Sequence, residues 1–222
     1  VQIGNGATGS VTGNIVNNAA LTFNRTGTLT YAGVISGTGS LAKIGTSTLT
    51  LTGTSTYTGS TTISAGTLAL SGSGSIASSS QVNVSNAAGT FDISGTSSGA
   101  MITTLNGIAN SHVTLGGQTL TISNGSTAYA GIIQGTGGLT VSAGTETLSG
   151  ANGYSGTTTI SSGATVALTG AGTITNSSVS DAGTLDISGA GAGRTIVSLA
   201  GAGGVTLGAN TLTLSTAAGT YS

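Results

Sequence analysis

Four carboxylates, one histidine and three basic side chains are the charged and imidazole groups that this chain offers for chemistry: Asp92, Glu146, Asp181 and Asp186; His112; Arg25, Lys43 and Arg194. A glycoside hydrolase would need two carboxyl groups about 5–9.5 Å apart. Asp92 sits between Phe91 and Ile93, and Asp186 between Leu185 and Ile187. In a strand, that alternation turns both acids outward, where a solvated or turn-pairing carboxylate is expected. A lone His112 cannot assemble a metal site, and it is expected at an exposed strand end. Arg25 and Arg194 have no sequence context that suggests a binding role. There is no cysteine, so disulfides and thiolate ligands are excluded. No Walker A, HExxH or calcium-binding nonapeptide pattern occurs, and the Gly-rich segments lack the following helix that phosphate binding uses. The sequons at 24–26, 83–85, 124–126 and 176–178 are what this composition produces by chance. No catalytic, cofactor-binding or metal-binding residue is assigned.

The elements that would have to position any site are strands. Of 222 residues, 41 are Gly, 43 Thr and 32 Ser, and only 3% are charged. An ordinary soluble domain carries roughly 25% charge. Gly without a three-residue period excludes collagen, and Leu, Ile and Val recur too regularly for a disordered chain. No window carries apolar residues at helical spacing. Short alternating runs appear instead, including TLTLTG (48–53), TLAL (67–70), QVNVS (81–85), TLTIS (119–123) and TLTLS (211–215), each bounded by Gly, Asn or Ser. That is the pattern of half-buried strands between tight turns, so the chain is all-β. The 48 residues between Lys43 and Asp92 carry no charge, yet their apolar residues are interspersed with Gly, Ser and Thr. No run approaches the roughly 18 apolar residues of a membrane helix. A net charge of −1 offers nothing to nucleic acid or anionic lipid.

Internal repetition decides the architecture. YAGVISGTGSL (31–41) returns as YAGIIQGTGGL (129–139), and YTGSTTISAGTLAL from Tyr57 returns as YSGTTTISSGATVAL from Tyr154. FDISG at 91 returns as LDISG at 185, and HVTLGGQTLTIS at 112 as GVTLGANTLTLS at 204. Tyr31, Tyr129 and Tyr221 mark one place in successive copies, 98 and then 92 residues apart. The whole of 1–222 is read as one solenoid with copies near 31–128 and 129–220, the end of an earlier copy before them and the opening of a third after them. The chain starts at Val1 rather than Met and shows no signal peptide, so it is expected to be a fragment or a processed product. Stacked coils bury an apolar face that no single coil can bury. Leu51 and Leu148 are expected to point inward and Thr50 and Thr147 outward. Nine or ten coils at roughly 4.8 Å give a length near 45 Å. One copy is expected to span about four coils, which would hold the paired Asp92 and Asp186 near 19 Å apart, too far to cooperate.

Residues 41–70, LAKIGTSTLTLTGTSTYTGSTTISAGTLAL, resemble the autotransporter-associated β-strand repeat, also called the passenger-associated transport repeat, and 139–168 resemble it a second time. The resemblance implies a right-handed parallel β-helix, exported by type V secretion in Gram-negative bacteria and displayed on or released from the cell surface. The membrane barrel of that family is not among these residues. Glu146 departs from the pattern by standing where the first copy has Leu49. If it pointed inward, its carboxyl would be protonated or hydrogen-bonded, because an unpaired buried charge costs too much. The expectation is instead that the strand turns outward there. Lys43 matches the repeat but is Val141 in the second copy.

The expected role is therefore structural: an extracellular or cell-surface adhesin, stalk or filament with no enzymatic activity. Its expected partners are copies of itself, end to end or side by side, or a host or bacterial surface, with neither nucleic acid nor membrane insertion. Two other classes stand beside it. Outward Thr pairs (48/50, 119/121, 145/147, 211/213) would suit an ice-binding solenoid if they formed ranks. A carbohydrate-active β-helix would need clustered carboxylates. A membrane β-barrel is disfavoured, since seven aromatics cannot supply two girdles.

Overall fold

In the computed structural model, which describes residues 1–216 and 219–221, the chain is a parallel β-solenoid of about eleven coils. Every named strand pairs in parallel with a strand about one coil away, 20 residues on for Leu29 with Leu49 and 23 for Val82 with Leu105. No helix occurs among the described residues. The first sheet has eleven strands, running from Gln2–Gly6 to Gly204–Thr206, and it serves here to number the coils. Within a coil the chain passes from the first sheet to a second and then a third, as in Val82–Val84, Thr90–Thr96 and Ala100–Ile102. A right-handed path is the one that twisted strands joined by parallel crossovers favour. Ten intervals of about 4.8 Å make the stack about 48 Å long, one coil more than the sequence suggested.

The period-two alternation sorts each strand into an inner and an outer row. In the first sheet, Leu21, Leu41, Thr61, Val82 and Leu105 stack in register, and beside them Phe23, Lys43, Ile63 and Val84. In the second sheet, Leu29, Leu49, Leu68, Phe91, Val113 and Ile133 stack. In the third, Ile102, Ile122, Val141, Ile160 and Asp181 do so. Leu51 and Leu148 are buried as expected, and Thr50 and Thr147 lie half-exposed on the outer rows. Each aliphatic side chain buried in these rows contributes about 1.5–3 kcal/mol.

The copies do not repeat over a whole number of coils. Thr61–Ile63 lies in the first sheet at coil four, whereas its counterpart Thr158–Ile160 lies in the third sheet at coil eight. Tyr31 is in the second sheet at coil two, and Tyr129 in the first at coil seven. Asp92 moves likewise from the second sheet at coil five to Asp186 in the first at coil ten. One copy thus advances five coils less one face. Matching residues stand on different sheets, and the expectation of four coils with Asp92 above Asp186 is corrected accordingly.

Candidate functional site

No group of His, Asp and Glu able to hold a metal forms among the described residues. Asp92 and Asp186 are half-buried on separate sheets, and each closes a local turn. The Asp92 Oδ1 accepts from the Ser94 amide at 2.8 Å and the Asp186 Oδ1 from the Ser188 amide at 2.8 Å. Asp181 does the same for Gly183 at 2.9 Å, but it is buried at the end of an aliphatic row and its Oδ2 has no partner. Burial raises its pKa, against the pull of the Gly183 and Leu185 amides. Its counterpart in the first copy is Asn86, exposed, which takes the Ala88 amide at 2.8 Å. The same turn is therefore built from an amide in one copy and an acid in the other.

Glu146 overturns the expectation of an outward bend. Its strand, Gly144–Leu148, pairs regularly with Ala164–Leu168, so the alternation carries Glu146 inward onto Val166. It is fully buried and neither carboxyl oxygen has a hydrogen-bond partner. Desolvation lifts its pKa from 4.5 to about 9, so it is neutral at physiological pH. Lys43 is buried in the row between Phe23 and Ile63, with Nζ donating to the carbonyls of Gly45 and Ala65, and burial lowers its pKa to about 8. Glu146 stands at coil eight and Lys43 at coil three, about 24 Å apart along the stack, so they are not partners.

The remaining polar candidates brace corners. Arg25 donates to the carbonyls of Ala7, Gly9 and Gly27. Arg194, buried, donates to those of Gly170, Gly172, Ala192 and Gly193. His112 opens its strand but is half-buried rather than exposed, and its Nδ1 has no partner. The four Thr pairs that could have made one ice-binding rank lie on strands of all three faces.

A buried polar arrangement that residue-type reasoning passed over recurs in both copies. Tyr57 Oη lies 2.6 Å from Thr61 Oγ1, which lies 2.9 Å from Ser79 Oγ; Tyr154, Thr158 and Ser177 repeat this at 2.7 and 2.8 Å. The serine hydroxyls continue to backbone carbonyls, Ser79 to Gly59 and Ser177 to Gly156. Burial raises the pKa of both tyrosines, with the hydroxyl contacts working against it. With no base beside them these hydroxyls are neutral and fully paired, an arrangement that fixes the coil. The recurrence of Tyr four residues before Thr in both copies was its visible trace in the sequence.

A family model described as the passenger-associated transport repeat matches residues 41–70 and 143–168. The chain is also 68% identical over 34 residues to a protein described as an adhesin BmaC autotransporter, from Brucella suis biovar 1 (strain 1330). That match covers 15% of this chain and 1% of the other protein. No solved structure matches. The chain carries two passenger-associated transport repeats within a parallel β-solenoid.

Proposed function

We propose that this carrier of passenger-associated transport repeats is a rigid segment of a secreted or surface-displayed Gram-negative passenger, and that it works by association, with copies of itself or with a surface. The observation that carries this reading is the outer surface of the ladder. On the third sheet, Met101, Thr121, Thr140, Thr159, Ser180 and Ala200 stand in register as one outer row of uncharged, mostly small side chains. Of the seven formally charged residues, Lys43, Glu146, Asp181 and Arg194 are buried, which leaves only Arg25, Asp92 and Asp186 near the surface. Proteins usually stay apart through interspersed surface charge, and here almost none remains. The similarity to an adhesin autotransporter of Brucella suis supports the same role.

Sedimentation and negative-stain imaging of the purified chain across salt concentrations test this. Assembly that persists unchanged as salt rises is expected, because few charges can be screened. A monodisperse monomer at high concentration that binds neither cells nor itself would sink the idea. A hydrolytic role is tested separately: replacing Asp92, Glu146, Asp181 and Asp186 together by Asn or Gln is expected to change no turnover on polysaccharide, peptide or ester substrates.

A further inference from the structure

Arg194 has a counterpart in the first copy, and it is Ala100. Aligning FDISG with LDISG sets Gly99–Ala100–Met101 against Gly193–Arg194–Thr195, and aligning the Ile76 and Ile174 segments sets Gly72 and Gly74 against Gly170 and Gly172. Three backbone hydrogen bonds of this corner recur in both copies, while the backbone differs at Gly99, which takes a φ of 83° where Gly193 does not. Gly74 N donates to Ser71 O at 2.9 Å, and Gly172 N to Thr169 O at 2.8 Å. Ser97 N donates to Gly72 O and Gly191 N to Gly170 O, both at 2.9 Å. Ala100 N donates to Thr119 O at 3.0 Å, and Arg194 N to Thr211 O at 2.8 Å. Gly72 and Gly170 both take positive φ, 60° and 55°, which glycine adopts without strain.

The corner's contents differ between the copies. In the second copy the guanidinium of Arg194 fills it, with Nε donating to Gly172 O at 2.6 Å, Nη1 to Ala192 O at 2.8 Å and to Gly193 O at 3.1 Å, and Nη2 to Gly170 O. In the first copy a half-open groove of ≈ 300 Å³ lies there, between Gly72–Gly74 and Ser98–Met101. We propose that this groove is a guanidinium-binding site that takes an arginine side chain presented by a partner protein or peptide. The second copy shows a corner with the same three backbone hydrogen bonds holding that group. Three guanidinium nitrogens meet four carbonyls there, a fork that a single ammonium nitrogen cannot reproduce, so arginine is selected over lysine. The arginine comes from elsewhere, because both arginines of this chain are already bonded to their own corners. All of the acceptors are neutral carbonyls, so binding is weak and relies on geometry. The site stands whether or not the chain associates with itself.

Met101 is the chain's single methionine, and it lines the groove half-exposed. Isotope labelling of its methyl group therefore gives one reporter resonance. Titrating the whole chain with a blocked arginine peptide is expected to shift that resonance saturably, and a matched lysine peptide to bind at least about tenfold more weakly, a difference of about 1.4 kcal/mol. Tighter binding of the peptide than of free arginine assigns the ligand to a protein-borne side chain; equal binding assigns it to the free amino acid at the same guanidinium site. Ala100→Arg, which places a guanidinium at the position Arg194 holds in the second copy, should abolish the shift. In an Arg194→Ala/Thr195→Met variant a second methyl resonance should appear and respond in the same way, which keeps the test decisive if the first variant folds poorly. An equal response to lysine, a drift that never saturates, or a shift that survives Ala100→Arg would overturn the proposal.

Discussion

Where the copy beginning at Tyr31 places Leu49, the copy beginning at Tyr129 places Glu146, and both side chains are shut away from water. Lys43 and Val141 present the same contrast with the copies exchanged, each buried in an aliphatic row. The molecule therefore contains its own controls: one coil geometry, with and without an ionisable group inside. The comparison teaches that the ladder overrides the side chain. A strand paired on both edges cannot turn one residue outward without losing register, so it buries the group and shifts its pKa instead.

Glu146→Leu should sharpen this contrast most. With a pKa near 4.5 in the unfolded chain and about 9 in the fold, Glu146 carries no ionisation penalty below pH 4.5. Between those values the unfolded state loses the proton while the folded state keeps it, so stability falls as pH rises, by about 3 kcal/mol at pH 7. The denaturation midpoint of the wild type should drop across that window, and that of Glu146→Leu should stay nearly level. A flat wild-type profile would break the comparison. Leu49→Glu should import the same slope into the first copy.

Lys43→Val should act in the same direction with a smaller effect, because Nζ retains two carbonyl acceptors. The lysine penalty is fully present below pH 8 and disappears as pH climbs towards 10.5, where both states are neutral. The variant's advantage in thermal midpoint should shrink over that interval. Tyr154→Phe removes one hydroxyl from its chain of three and should cost about 1 kcal/mol, as should Tyr57→Phe. Unequal costs in the two would show that the copies are not equivalent at this point. Asp92→Asn should change stability by less than about 0.5 kcal/mol, because Asn86 closes a turn of the same form, two residues on, with an amide. A larger loss would mean that the charge itself is needed.

Alternation along TLTL and TVAL made the inward and outward faces legible, because a period of two assigns each side chain to one side. The repeated Tyr–Thr spacing was legible as a pattern but not as a hydrogen-bonded chain, because Ser79 and Ser177 join it from the next coil, 18 and 19 residues away. Glu146 is anomalous in the sequence, yet it does not bend outward as its type suggests. The residue type argued for water, and only the pairing of Glu146 with Val166 shows that the strand continues straight through. The vacant corner at Ala100 was invisible, since alanine gives no hint of what its counterpart holds.

By itself the sequence determined the strand class, the repeat and the inner rows, all of which depend on local alternation and on self-similarity at fixed spacing. The number of coils per copy was beyond it, because turns of unequal length add up over a copy and only the closed stack fixes the sum. That sum is five coils less one face, which sends matching residues to different sheets. Burial was likewise decided by neighbours rather than by residue type. Glu146 is fully buried on a strand paired through the ladder, whereas Ile108, outside the strands, is 48% exposed.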